Sequence, residues 1–138
     1  MFKMQILRIT TKKEKQIVDI TEQIEKILKE QSAKEGICFL FTRHTTAALT
    51  TADLDPGTDR DMLDAFEAMM PKLRYRHPHN PSHVPDHIMS SVIGASVFVP
   101  FTNKKMMLGT WQKIILVELS GPRSREIVVE VQNKAPAQ

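Results

Sequence analysis

The 138 residues contain one cysteine, one tryptophan, one tyrosine and only five glycines. A lone Cys38 excludes an intrachain disulfide, so the core must hold the fold, and a reducing cytoplasm is the expected setting. Cys38 lies in the apolar run 37–41, so a buried thiol is expected. No apolar run approaches the roughly 20 residues of a membrane-spanning helix. The start, Met-Phe-Lys-Met-Gln-Ile, lacks the basic-then-apolar layout of a signal peptide. Aromatic residues are 6% of the chain and are not interleaved with a basic block, which excludes a nucleic-acid groove. The net charge of +3 is spread thinly and suits an anionic small ligand or no partner at all.

What remains is ordinary: 41% hydrophobic and 25% charged residues, in a chain sized for one domain over 1–138. Phe2, Met4 and Ile6 alternate with Lys3 and Gln5, which predicts a strand. A second strand is expected over 15–20. Thr21 then offers an N-cap to a helix carrying Ile24, Ile27 and Leu28 on one face, with Gly36 as its stop. Residues 37–41 are apolar at both parities, the pattern of a central strand. Thr42, His44, Thr45 and Thr46 follow directly, where strand ends open onto a cleft. Asp55-Pro56-Gly57-Thr58 is a turn. A capping box of Thr58 with Asp61 should start a helix over 59–70 that buries Met62, Leu63, Phe66, Met69 and Met70.

Five of the eight prolines lie between Pro71 and Pro100, which marks a loop-rich middle. Four of the five histidines, His77, His79, His83 and His87, fall within the eleven residues 77–87. There is no HExxH and no cysteine pair, so no standard zinc motif is present. Polar surface and a metal or acid–base site both remain open for this cluster. Pro85 favours a helix start that leaves His83 just outside, and the helix should continue over 88–93 to Gly94. Residues 96–101 form the next predicted strand.

Residues 114–119 predict a buried strand broken only by Glu118, a carboxylate that needs a partner there. Ser120-Gly121-Pro122 is turn chemistry. Ile127, Val129 and Val131 then alternate with Glu126 and Glu130, in a strand expected to pair antiparallel with the one before. Arg123 and Arg125 stand at its entrance, as the solvated rim of a hairpin or as a bidentate anion site. Residues 133–138 are expected to fray. Runs of strands with segregated helices argue for α+β.

One combination is more specific. His44-Thr45-Thr46-Ala47-Ala48, Asp61, Tyr75-x-His77, Pro85-x-His87, Gly109-Thr110-Trp111-Gln112, Glu118 and Gly121-Pro122-Arg123-x-Arg125 occur in that order. This resembles the YjbQ-type family, linked to a secondary thiamine-phosphate synthase activity. The resemblance implies a single α+β domain with a mixed, mostly antiparallel sheet, helices packed against it, and a homotrimer. It further implies that His44, Asp61, Arg123 and Arg125 are catalytic and that His44, His77 and His87 are metal ligands. Thr45, Thr46, Trp111, Gln112 and Glu118 would line or support the site. His79 matches no motif position, and His83 falls where family members vary among polar residues. Family members commonly carry Asn-Glu where this chain has Ala52-Asp53.

The implied reaction joins a pyrimidine pyrophosphate to a thiazole phosphate and expels pyrophosphate, so the site needs cationic groups on the phosphates. Three histidines suit zinc or another transition metal, while Mg²⁺ would accompany a phosphate substrate. The alternative is a non-catalytic trimer that binds a metal or an anion through the same residues.

Overall fold

Residues 114–119 decide the architecture, because they are buried at both parities. The computed structural model describes residues 2–134, with side chains from residue 4 onward. The elements are β1 (Phe2–Thr10), β2 (Gln16–Asp19), α1 (Thr21–Glu30), β3 (Glu35–Thr42), β4 (Ala47–Ala52) and α2 (Thr58–Met69). A 3₁₀ turn (Pro81–His83) leads into α3 (Val84–Ile93), followed by β5 (Ser96–Thr102), β6 (Lys105–Met106), β7 (Lys113–Glu118) and β8 (Ser124–Asn133).

Two antiparallel sheets result, one of five strands in the order β1-β8-β3-β5-β6 and one of three in the order β2-β7-β4. Ile114 and Leu116 of β7 face the main core, with Ile24 and Leu28 of α1, Leu40 of β3 and Ile127 and Val129 of β8. Ile115 and Val117 face a smaller core with Ala48, Met89 and Leu119, against which Met62 and Phe66 of α2 and Met70 just after it pack. The three-stranded sheet is therefore sandwiched, with the large sheet and α1 on one side and α2 and α3 on the other. Such double burial requires the unbroken apolar run that β7 has.

The fold is α+β, with two antiparallel sheets in place of one mixed sheet. The expected β7–β8 hairpin does not form: β7 pairs with β2 and β4, whereas β8 pairs with β1 and β3. The 119–123 turn is a corner between sheets, and it is tight. A Cβ on Gly121 would lie 2.4 Å from the Lys13 carbonyl oxygen. Gly36 is no helix stop either. It is the second residue of β3, where a Cβ would sit 1.8 Å from the Gln132 carbonyl oxygen.

The helix starts also differ from expectation. Ile20 caps α1, while Asp19 Oδ1 accepts from both the amide and the hydroxyl of Thr21. Gly57 caps α2 with no side-chain hydrogen bond, so the Thr58–Asp61 box is absent. No α2 residue is fully buried, and Met69 is 63% exposed, against the expected buried face. β3 is central, as expected, yet its outward side chains Ile37 and Phe41 stay open to solvent beside Met4, Ile6 and Phe98. Cys38 is buried, and desolvation pushes its thiol up to about 12. Among the described residues, no helix is long and apolar enough to cross a membrane. The expected fraying of 133–138 lies outside the described residues beyond 134.

Candidate functional site

The chain crosses from the large sheet to the small one through residues 43–46, and this crossing sets the cleft. His44, Thr45 and Thr46 lie on it. α3 brings His87 against Thr45, and β8 brings Arg125 against Thr46, while Arg123 stands two residues earlier, on the β7–β8 corner. Ser90 Oγ, one turn after His87, donates to the Ala47 carbonyl at 2.7 Å and pins α3 to the start of β4.

Arg125 and Glu118 form the centre of the frame. Arg125 is 2% exposed and Glu118 fully buried. Arg125 Nε donates to Glu118 Oε2 at 2.8 Å, and Nη2 pairs with Oε1. The same Nη2 donates to the Thr46 carbonyl at 3.0 Å and to its hydroxyl at 2.9 Å. Glu118 also accepts from the Thr11 hydroxyl at 2.8 Å and the Ser120 amide at 3.0 Å. Desolvation alone would raise the Glu118 pKa. The hydrogen bonds from Arg125, Ser120 and Thr11 outweigh it and leave the carboxyl below its ordinary value. Arg125 thus supplies the partner that the apolar context of Glu118 demanded. Both residues position the crossing: Glu118 lines no surface, and the Nε and Nη2 groups of Arg125 are already committed.

Arg123 differs from its neighbour. It is exposed, and its Nε donates to the Ser120 carbonyl at 2.7 Å. Its terminal nitrogens take no partner among the described residues, so they present a fork of donors to solvent. Its backbone is held through Thr11, whose hydroxyl accepts from the Arg123 amide at 2.9 Å. Thr11 carried no signal in the sequence, because its partners lie more than a hundred residues away.

The imidazoles of His44, His77 and His87 are each tied to the backbone. His44 Nε2 accepts from the Glu126 amide at 2.9 Å, which places the ring proton on Nδ1. Burial, and then the charge of Arg125, lowers the His44 pKa and keeps the ring neutral. His77 Nδ1 accepts from the His79 and Asn80 amides at 3.3 and 3.2 Å, which leaves its proton on Nε2. His87 Nδ1 lies 3.2 Å from the Thr45 carbonyl oxygen, so it must donate, and Nε2 keeps its lone pair. The His77 and His87 rings stack at 5.3 Å, 9° from parallel. Among the described residues, no three His, Cys, Asp or Glu side chains are grouped to hold a metal ion.

The remaining candidates lie apart. Trp111 is 70% exposed, and Gln112 donates to the Thr51 hydroxyl at 3.0 Å, at the opposite end of β7 from Glu118. That is roughly 20 Å along the strand. Asp61 is exposed in the first turn of α2, and no side-chain contact among the described residues joins it to the histidines or arginines.

A second polar group borders the corner. Lys15 pairs with Asp86 and with the Leu119 carbonyl, and His83 Nδ1 stands 3.8 Å from Asp86 Oδ2 and 3.4 Å from Ser120 Oγ. The sequence marks this group only through His83 of the 77–87 cluster. Beside it a cavity of about 1050 Å³ opens between α2, residues 70–75 and α3, lined by Phe66, Met70, Met89 and Leu119 with Arg60 and Arg74. It takes in none of His44, His77, His87, Arg123 or Arg125.

Comparison with known proteins places these features in one lineage. Residues 5–134 match the model of the "UPF0047 protein YjbQ-like" family. A UPF0047 protein of Archaeoglobus fulgidus is 34% identical over 125 residues, which is 90% of this chain and 97% of that protein. The Bacillus subtilis UPF0047 protein YugU is also 34% identical, over 91% of this chain and 96% of its own. A crystal structure from Sulfolobus solfataricus, described as a YbjQ-like protein of unknown function, superposes with a TM-score of 0.89 at 32% identity, covering 97% of this chain and 99% of the other. A Clostridium acetobutylicum structure of the same family gives 0.84 at 34% identity, covering 93% of this chain and 99% of its own.

Proposed function

The chain belongs to the YjbQ-like UPF0047 family, and on that premise we propose that it is a small cytosolic enzyme of phosphate and pyrophosphate chemistry, with weak thiamine-phosphate synthase activity as its assignable reaction. The observation that carries this reading is Arg123. Its guanidinium is fixed at Nε, open at both terminal nitrogens, and mounted on a corner locked by Glu118 and Arg125. A preset fork of N–H donors suits a phosphate or pyrophosphate group. In the transfer, the thiazole nitrogen attacks the pyrimidine methylene carbon while the C–O bond to pyrophosphate breaks. The electron pair leaves with pyrophosphate, and Arg123 meets the charge that builds there. Mg²⁺ would enter with the phosphates.

We also propose a homotrimer as the working form. Met4, Ile6, Ile37, Phe41 and Phe98 give the large sheet an open apolar outer face, of the kind that marks an interface. Within one chain Trp111 lies a strand length from the histidines, so a neighbouring copy would be needed to bring the two motifs together. Sedimentation of the purified protein should give three chains per particle, and a monomer would remove this part.

The functional test is turnover of the pyrimidine and thiazole substrates by the native protein and by Arg123→Ala. Loss of one charged donor at a developing oxyanion should lower kcat/KM about 100-fold with the assembly intact. Unchanged turnover in Arg123→Ala would sink the assignment. Phosphate binding without turnover in the native protein would leave the non-catalytic, anion-binding trimer.

A further inference from the structure

Three imidazoles make a zinc site only when three lone pairs converge on one point, each ring using its other nitrogen as an N–H donor to the protein. His87 meets this requirement, since Nδ1 donates to the Thr45 carbonyl and Nε2 is left open. His44 and His77 are arranged the other way. Each has one lone pair occupied by backbone amides, the Glu126 amide at His44 and those of His79 and Asn80 at His77. The opposite nitrogen of each ring then carries the proton. Turning either ring to face a metal would leave those amides without their acceptor. The donor set therefore does not fit the three-histidine metal centre that the family resemblance suggests.

We infer that His44 and His77 serve this cleft as N–H donors of opposite tautomer, and that of these three rings His87 alone keeps a lone pair, on Nε2, open to a ligand. The ligand class is then an oxyanion that also carries a hydroxyl or a bound water. The anion takes the N–H of His77, while the hydroxyl donates to Nε2 of the stacked His87 ring. His77, stacked on His87, holds that ring parallel to its own. The inference rests on this cleft being the functional site and on no particular reaction there.

Long-range ¹H–¹⁵N correlation spectra of the imidazoles, recorded on the native protein in mildly alkaline buffer, test it directly. The expected spectra show the Nδ1–H tautomer at His44 and His87 and the Nε2–H tautomer at His77. One equivalent of zinc should leave the His44 and His77 signals in place. A different tautomer at His44 or His77 would overturn the inference. So would one zinc per chain that shifts all three rings together. Failure of the synthase reading would leave these spectra unchanged, so the two conclusions stand or fall separately.

Discussion

The β7–β8 corner and the helical layer are built in opposite ways. On the sheet side, Glu118 has no exposed surface and four donors reach its two oxygens, from Arg125, Thr11 and Ser120. On the helical side, α2 buries no residue completely, Leu73 after it is 64% exposed, and a cavity of about 1050 Å³ separates α2 from α3. A saturated buried network fixes positions, whereas a half-packed helix with a loop beside it is the element that can open locally. The contrast explains how neighbouring arginines divide the work. Arg125 is spent on the frame, and Arg123, two residues earlier, is left for a ligand.

The largest effect should come from breaking the frame. Arg125→Ala leaves Glu118 buried and unpaired, which costs about 3–5 kcal/mol and is readable as a lower urea midpoint. The same pair makes stability depend on pH. Glu118 has a folded pKa below its ordinary value of 4.5, so its contribution is full above that value and is lost as pH falls through the folded one. His44 acts in the same sense at higher pH. Its folded pKa is below 6.5, so the unfolded chain takes the proton first and stability declines as pH drops below 6.5. Urea midpoints measured from neutral to acid pH should fall in two steps, and Glu118→Gln should remove the lower one.

Gly121→Ala places a Cβ 2.4 Å from the Lys13 carbonyl oxygen and 2.9 Å from the Thr11 hydroxyl oxygen. A cost of about 1–3 kcal/mol is expected, with the corner displaced. On the helical side the same measurement should give less. Phe66→Ala would cost about 3–5 kcal/mol in a full core, and here about 1 kcal/mol is expected because the ring borders an open cavity. Smallest is Arg123→Ala, whose stability should stay within about 0.5 kcal/mol of native, as for an exposed side chain outside the network. A loss comparable to that of Arg125→Ala would erase the distinction between the two arginines.

Sequence patterns revealed the elements better than their neighbours. The apolar run 114–119 announced a strand buried on both faces, and β7 is that strand. Alternation over 127–131 announced β8, but periodicity carries no information on which sheet a strand joins. The switch depends on a corner that only Gly121 fits. The helical spacing of Met62, Phe66 and Met70 marked a face without saying how fully it is covered. Glu118 revealed its need for a partner through its apolar neighbours, and a candidate stood seven residues on. Thr11 closes the same network from more than a hundred residues away, where no local pattern reaches. The tautomers of His44 and His77 were equally hidden, since backbone amides set them.

The division between a structural and a ligand-binding arginine is tested most directly by calorimetric titration of inorganic pyrophosphate into the native protein and into Arg123→Gln, with urea midpoints measured on both. Native binding weakened about 10- to 100-fold in Arg123→Gln, at an unchanged urea midpoint, is the expected result. Equal affinity in the two proteins would contradict the account and return Arg123 to the role of a solvated corner residue.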